Sequence, residues 1–232
     1  MRTLYCISFK ENDNKEENQM NQSRNSKTLG LVQIAMFSAI IIILAFTPFL
    51  GYIPLGFTRA TIIHIPVILG AILLGPKKGA ILGFVFGMTS LINNTMNPTA
   101  TSFVFSPFYS LGDINGGFSS LIICLIPRTL VGVTPYYIYQ WIMKLFKNHK
   151  NNITIALGSA GIVGSLTNTL LVMNLIYLLF RDDYAQVNQT SVEAIYGFIL
   201  GIIGVNGIPE AIVAAVIVIC IGRILIRKYK TY

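Results

Sequence analysis

The sequence predicts an all-α integral membrane protein with six transmembrane helices and both termini in the cytoplasm. The chain is 53% hydrophobic and only 11% charged, with a mean hydropathy of +0.65, which exceeds what a soluble domain of 232 residues carries. Several apolar runs approach or exceed the ~20 residues that a helix needs to cross a bilayer, and they lack the strict alternation of barrel strands. Basic residues gather at the ends of these runs, as they do in membrane proteins of fixed orientation.

The predicted spans follow the apolar runs in chain order. They are residues 29–50, 60–75, 77–92, 117–143, 153–180 and 192–222. Gly75 and Pro76 are expected to end the second span, because both residues break helices. Lys77 and Lys78 then mark a water-facing hairpin before the third span.

The chain before the first span is polar and of mixed charge. We predict a disordered cytoplasmic tail at residues 1–28 and a six-helix membrane domain at 29–232. The tail is not expected to be a signal peptide, because the first apolar run begins only at Leu29 and no small-residue cleavage site follows it.

Lysine and arginine side chains predict the orientation. With an even number of spans, the tail, the hairpin at 75–80, the linker at 144–150 and the C-terminus share one face, and only Arg59 and Arg181 lie opposite. By the positive-inside rule this basic face is cytoplasmic. The connections on the other face are 51–59, 93–116 and 181–191.

The longest of these connections, 93–116, is expected to be functional. It begins with polar residues and continues with Phe103, Phe105, Phe108 and Tyr109, which argue against disorder. Long connections in compact domains are usually functional or disordered. We therefore predict a lid over the outer mouth of the bundle, with its phenylalanines available to stack on a ligand.

Polar side chains at membrane depth predict a binding pocket. They are Arg128 in the fourth span, Asn168 and Asn174 in the fifth, and Asn206 and Glu210, four residues apart on one helix face, in the sixth. Charged groups at this depth cost several kcal/mol unless they face a wet cavity or a partner. Convergent polar groups on an apolar wall are typical of a pocket for a small polar molecule. The alternative is that Arg128 and Glu210 form a purely structural ion pair.

Two further site candidates have simpler explanations. His64 lies near the outer end of the second span, but a lone histidine on an apolar helix is more often a packed residue than a ligand contact. Arg59 lies in the adjacent connection and can equally anchor the membrane interface by snorkelling.

The first span carries a small-residue pair. In the stretch AMFSA, Ala35 and Ala39 lie one helical turn apart, a spacing that lets another helix approach closely. Packing within the chain is the default explanation of such a pair.

The sequence lacks the motifs that several classes of function require. Cys6, Cys124 and Cys220 have no metal-ligand spacing, so neither a metal nor a cofactor is expected. The basic residues do not form one patch with interleaved aromatics, which argues against a nucleic-acid partner. The chain has no P-loop, H-E-x-x-H or G-x-S-x-G motif, so it is predicted not to be an enzyme, and any ATPase motor must be another polypeptide.

The combined pattern resembles the substrate-binding S component of an energy-coupling factor (ECF) vitamin transporter. The resemblance covers about 200 residues and rests on six stretches: AMFSA at 35–39, ATIIHIPVILGAILLGPKKGAILGFVFGMTSLI at 60–92, FSPF at 105–108, IPRTLVG at 126–132, LTNTLLVMNLIYLL at 166–179 and NGIPEAI at 206–212. It implies a multi-pass protein of the bacterial plasma membrane. Such a protein captures a vitamin from outside and docks on a separate transmembrane scaffold with two ATPase subunits. Ala35 and Ala39 match that family's docking surface.

Among S components, the pattern most resembles the pantothenate branch. In that interpretation Arg128 binds the carboxylate, while Asn168, Asn206 and Glu210 bind the remaining polar groups. The second span begins RATIIHIP and lacks the acidic start of the riboflavin branch. Folate or riboflavin as ligand, and an autonomous secondary carrier or channel, stay as alternatives.

Overall fold

The computed structural model describes residues 27–47, 51–55, 58–112 and 114–229, with strand residues 52–55 and 58–60 and Tyr229 described by their backbone alone. The chain divides into two compact units, Met1–Met36 and Phe37–Tyr232. Almost all of the predicted tail at 1–28 lies outside the described residues. The site considered below lies entirely within the second unit.

The described residues are mostly helical. The helices are α1 (Lys27–Phe46), α2 (His64–Leu74), α3 (Pro76–Met96), α4 (Phe118–Val131), α5 (Thr134–Leu145), α6 (Asn152–Leu179), α7 (Arg181–Val187), α8 (Ile195–Ile202) and α9 (Ile208–Tyr229). A 3₁₀ turn covers Ser102–Val104, and a π-helical turn at Ile203–Gly207 joins α8 to α9. Two antiparallel hairpins pair β1 (Tyr52–Leu55) with β2 (Thr58–Thr61), and β3 (Ser110–Leu111) with β4 (Ile114–Asn115).

Five helical stretches in the described part of the chain are long and apolar enough to cross a membrane. They are Lys27–Phe46, Pro76–Met96, Phe118–Leu145, Asn152–Leu179 and Ile195–Lys228. The predicted span at 60–75 contains only the 11-residue α2, whose length of about 16 Å is roughly half of a bilayer core. Its first residues belong to β2 instead. Six full-length spans are therefore not confirmed within these residues.

Local chemistry explains where the helices begin and end. Gly75 ends α2 with a φ of 90°, and Pro76 opens α3, which confirms the predicted hairpin. The third span runs on to Met96, so the first residues of the predicted 93–116 connection are helical. The fourth span is broken after Val131, and α5 restarts with Pro135 in its first turn.

Glycines bring α3 against α4. A Cβ added to Gly83 would clash with the carbonyl oxygen of Arg128, and one added to Gly79 would clash with that of Gly132. Only glycine allows two helix backbones to approach so closely. The glycine face of α3 therefore fixes the position of Arg128 on α4.

The connection 97–117 is packed into one end of the bundle, called here the loop end. Phe103, Val104 and Ile114 are buried in one cluster with Ile123 of α4 and with Val172, Ile176 and Phe180 near the C-terminal end of α6. Ser102 donates a hydrogen bond to the side chain of Asn94 at 3.0 Å, and Ser120 donates one to the Phe103 carbonyl at 2.7 Å. This part of the predicted lid is thus an integral part of the core, anchored to α3, α4 and α6.

Candidate functional site

Arg128 is a buried cation. Its side chain is only 6% exposed, and its guanidinium carbon lies 5.0 Å from the ring centre of Phe105 and 5.9 Å from that of Phe86. Nη1 donates a hydrogen bond to the Ile123 carbonyl, whereas the buried Nε has no partner in the described structure. Within the described residues no carboxylate forms an ion pair with this guanidinium. A buried cation without a counter-ion is costly, so the arrangement favours an anionic ligand.

Glu210 is half-buried in the first turn of α9 and holds two other elements. Its Oε1 accepts a hydrogen bond from the backbone N–H of Thr61, at the end of β2, and lies 3.5 Å from the Thr61 hydroxyl. Its Oε2 accepts from the hydroxyl of Thr169 on α6 at 3.4 Å. The carboxyl group therefore ties the β1–β2 hairpin to α6 and α9.

The structural ion pair considered as an alternative is absent from the described residues. The partners of Glu210 there are Thr61 and Thr169, and those of Arg128 are Ile123, Phe86 and Phe105. Arg128 and Glu210 thus occupy separate environments and do not neutralise each other by direct contact.

Several buried polar atoms on α2, α4 and α6 have no hydrogen-bond partner in the described part of the structure. They are Nδ1 and Nε2 of His64, Oγ of Ser165, Oδ1 of Asn168 and Nε of Arg128. These side chains are 1%, 0%, 7% and 6% exposed, respectively. Most buried polar groups in proteins are hydrogen-bonded, so several unpaired atoms in one region indicate a place where a ligand or water binds.

The contacts between helices show where these residues lie along the length of the bundle. Ala71 and Gly70 of α2 meet Gly79 and Leu82 of α3, so the two helices are antiparallel and the N-terminus of α2 faces the loop end.

Gly164 of α6 lies against Ile68 of α2. One turn nearer to the loop end, His64 is therefore level with Asn168.

Asn206 is buried in the π-helical turn before α9. A π turn adds a residue to the helical repeat and often occurs at functional sites, because it changes the face on which side chains lie. Here it precedes Pro209, and Gly207 packs on the Thr169 side chain. Gly207 and Glu210 thus lie against Thr169 of α6, within and directly after this change of helical geometry.

Several predicted site residues lie elsewhere or cannot be placed. Asn174 is exposed and donates its amide to the Leu170 carbonyl of its own helix at 2.7 Å, so the structure does not bring it to the unpaired atoms. The side chain of Arg59 is outside the described part of the structure, although its backbone pairs with Pro54 in the hairpin. Phe105 is half-buried and reaches the site through Arg128.

The predicted docking residues are at the surface. Ala35 and Ala39 both lie in α1, and each is exposed.

Sequence reasoning missed Phe86 and Ser165 and did not foresee the role of Thr61. Ser165 precedes Asn168 by three residues, so helical spacing alone could have identified it as a neighbour on the same face. The roles of Phe86 and Thr61 have no such signal, because their partners Arg128 and Glu210 are distant in sequence.

We expect the two asparagines of α6 to differ in their effect on ligand binding. Asn168→Ala should lower affinity about tenfold, because a buried amide that bonds a ligand contributes roughly 1–2 kcal/mol. Asn174→Ala should leave affinity within about twofold, since that side chain faces outward. Calorimetric titration of both purified variants measures the difference, and equal losses would contradict this placement.

Apolar helices of membrane-spanning length, with buried polar atoms left unpaired between them, are features of membrane proteins that bind polar solutes. Comparison with known proteins identifies the family. Residues 29–222 match the family model described as "ECF transporter, substrate-specific component". The chain belongs to this family, and is thus a multi-pass protein of the bacterial plasma membrane that binds a transport substrate.

Two relatives match over most of the chain. The pantothenic acid transporter PanT of Lactococcus lactis subsp. cremoris is 34% identical over 197 residues, which cover 84% of this chain and 92% of the relative. The pantothenate transporter PanT of Leuconostoc mesenteroides subsp. mesenteroides is 32% identical over 207 residues, which cover 87% and 94%.

Two solved structures are also similar. An S component of a bacterial ECF transporter matches with a TM-score of 0.46 and 17% identity, covering 88% of this chain and 97% of that one. The S component for biotin from an ECF-type ABC transporter matches with a TM-score of 0.43 and 21% identity, covering 86% and 93%.

Proposed function

We propose that this chain is the pantothenate-capturing S component of an ECF-type importer. The observation that carries the proposal is the buried Arg128 guanidinium, which has no carboxylate partner among the described residues and a free Nε. Pantothenate is an elongated anion with an amide and two hydroxyl groups, so its carboxylate supplies the missing counter-ion. The names of the two relatives support the same ligand.

The remaining groups of pantothenate match the uncharged polar side chains of the site. Asn168 offers a buried, unpaired carbonyl oxygen, and Asn206 lies buried on the neighbouring π turn. Arg128 binds the carboxylate while stacked on Phe86 and Phe105. Glu210 acts indirectly, because its carboxyl group already accepts hydrogen bonds from Thr61 and Thr169.

The proposed topology has six membrane elements with both termini in the cytoplasm. The short α2, together with the β1–β2 hairpin, forms the second element, and the five longer helical stretches form the others. The loop end then faces outward. Residues 1–28 form a cytoplasmic tail and residues 29–232 form the membrane domain, in agreement with the positions of the basic residues.

Transport requires partners in this proposal. The chain has no P-loop motif, so ATP hydrolysis is assigned to two separate ATPase subunits joined to a transmembrane scaffold subunit. Ala35 and Ala39, exposed on α1, are proposed as the surface that docks on the scaffold.

We expect Ala35→Leu with Ala39→Leu to stop uptake without changing ligand affinity. Two leucines would keep the scaffold helix at a distance, whereas the unpaired polar atoms lie on α2, α4 and α6. Uptake of radiolabelled pantothenate into cells that express the complete transporter, together with titration of the purified chain, measures both effects. Ala194→Leu changes an exposed alanine outside α1 and serves as the control. Normal uptake by the double variant would place the docking surface elsewhere.

One experiment separates the proposed function from its alternatives. The chain is purified in detergent, any small molecule that copurifies is identified by mass spectrometry, and the protein is titrated with pantothenate, folate and riboflavin in the absence of ATP. Tight binding of pantothenate alone supports the proposal. Selective binding of folate or riboflavin would assign another branch, and ion-driven uptake by the isolated chain in liposomes would identify a secondary carrier.

A further inference from the structure

A surface cavity lies at the corner where α6 meets α7. It has a volume of about 450 Å³ and is lined by the seven consecutive residues 177–183. Pockets that bind small molecules typically measure roughly 300–1,000 Å³. The membrane-spanning stretch of α6 ends at Leu179, so the cavity begins on an apolar helix and continues onto charged residues. A ligand that fits this cavity therefore has an apolar part and a charged part.

The cationic group of the cavity, Arg181, is held in place on two sides. Its guanidinium carbon lies 5.5 Å from the ring centre of Tyr177, and that ring lies 5.0 Å from the ring of Tyr196 on α8. Its Nη2 donates a hydrogen bond to the Val192 carbonyl at 3.2 Å. A guanidinium has five N–H donors in a planar fork, and within the described residues no carboxylate pairs with this one. Its remaining donors can therefore bind the oxygens of a phosphate group.

Two carboxylates line the same cavity and do not neutralise this cation by direct contact. Asp182 is exposed and Asp183 is half-buried. In the part of the chain that the structure describes, neither carboxylate has a hydrogen bond or an ion pair. A primary ammonium group has three donors and no acceptor, so two neighbouring carboxylates suit it. The cavity thus offers a cation and a pair of anions to one ligand, an arrangement that is complementary to a zwitterion.

The apolar wall of the cavity favours a lipid over a soluble zwitterion. Leu178 is 71% exposed and Leu179 is 40% exposed at the end of a membrane-spanning helix. Lipid chains are the natural partners of such side chains, because water is excluded from the hydrocarbon region. Tyr177 and Tyr196 are of the type that lies at the level of lipid headgroups. The charged and apolar parts of the cavity therefore match the two parts of a phospholipid.

We propose that residues 177–183 bind the headgroup of an aminophospholipid, phosphatidylethanolamine. Arg181 binds the phosphate, Asp182 and Asp183 bind the ammonium group, and the acyl chains lie along the two exposed leucines. None of the lining residues carries the unpaired polar atoms of α2, α4 and α6. The inference therefore does not depend on which solute the chain transports, and it assigns the α6–α7 corner a role as a lipid-binding anchor.

Native mass spectrometry of the purified full-length chain tests this proposal. The protein is titrated with phosphatidylethanolamine, phosphatidylcholine and phosphatidylglycerol that carry identical acyl chains. One phosphatidylethanolamine should bind about tenfold more tightly than either other lipid, because the choline group has no N–H donor and the glycerol group has no positive charge. Arg181→Met should weaken phosphatidylethanolamine about tenfold. Asp182→Asn with Asp183→Asn should remove the preference for phosphatidylethanolamine over phosphatidylglycerol.

Two variants elsewhere on the surface serve as controls. Arg223→Met removes an exposed arginine of α9, next to Gly222, which packs on Leu157 near the start of α6. Glu193→Gln removes an exposed carboxylate that does not line the cavity. Both should keep the preference of the wild type. Thermal melting verifies that every variant is folded.

Three results would overturn the inference. The first is equal binding of the three lipids by the wild type. The second is an unchanged preference in the Arg181 and aspartate variants, or a loss that the two controls share. The third is competition by soluble phosphoethanolamine at the same concentration as the lipid, which would show that the cavity binds a soluble metabolite instead.

Discussion

Arg128→Met is expected to reduce pantothenate affinity by at least a hundredfold. Removing one partner of a buried, hydrogen-bonded charge pair costs about 2–5 kcal/mol, and 2.7 kcal/mol is roughly a hundredfold. Methionine keeps much of the apolar contact with Phe86 and Phe105 but supplies no charge. The thermal stability of the ligand-free protein should not fall, because the variant removes a buried cation that has no counter-ion among the described residues.

Arg181→Met is the matched control for this prediction. Arg181 also stacks on an aromatic ring, Tyr177, at 5.5 Å, and also donates to a backbone carbonyl, that of Val192. It is exposed, however, and lies in α7, whereas the unpaired polar atoms lie on α2, α4 and α6. Titration and thermal melting of both variants should show lost binding only for Arg128→Met. Unchanged affinity in that variant would remove Arg128 from the site, and a collapse of its ligand-free stability would indicate a structural role instead.

Glu210→Ala is expected to reduce affinity by ten- to a hundredfold, mainly by speeding ligand release. The substitution leaves the Thr61 backbone N–H without its acceptor, at a cost of about 1–3 kcal/mol, whereas the Thr169 hydroxyl keeps the Ser165 carbonyl as an acceptor at 3.4 Å. The end of β2 is then no longer held to α6 and α9. Because Thr61 lies three residues before His64, release of this connection also disturbs the start of α2.

Glu210→Gln distinguishes this positioning role from a direct ligand contact that needs charge. A glutamine oxygen can still accept from Thr61, so this variant should retain most of the affinity, within about threefold. Glu193→Gln, at an exposed site, provides the control and should match the wild type. Stopped-flow measurement of the dissociation rate is the decisive readout. Equal losses in Glu210→Gln and Glu210→Ala would show that the carboxyl group contacts the ligand through its charge.

The sequence alone determined the class of the protein. Its apolar runs and low charge follow from the requirement that a membrane helix hides its backbone and excludes charge, and that requirement acts on composition directly. For the same reason Arg128 and Glu210 are recognisable from the sequence, since each charge stands out against an apolar span. The hairpin at Gly75 and Pro76 was equally readable, because both residues break helices locally.

Element lengths and partners were decided by tertiary structure. The start of the span predicted at 60–75 is apolar enough to be helix but pairs with β1, since strand and helix compete for the same apolar residues. Whether Arg128 meets Glu210 or two aromatic rings depends on the glycine contacts that set α3 against α4. The contact between Thr61 and Glu210 joins residues 149 positions apart. Hydrophobic patterning identifies which side chains lie inside, but only the packed helices determine which of them face one another.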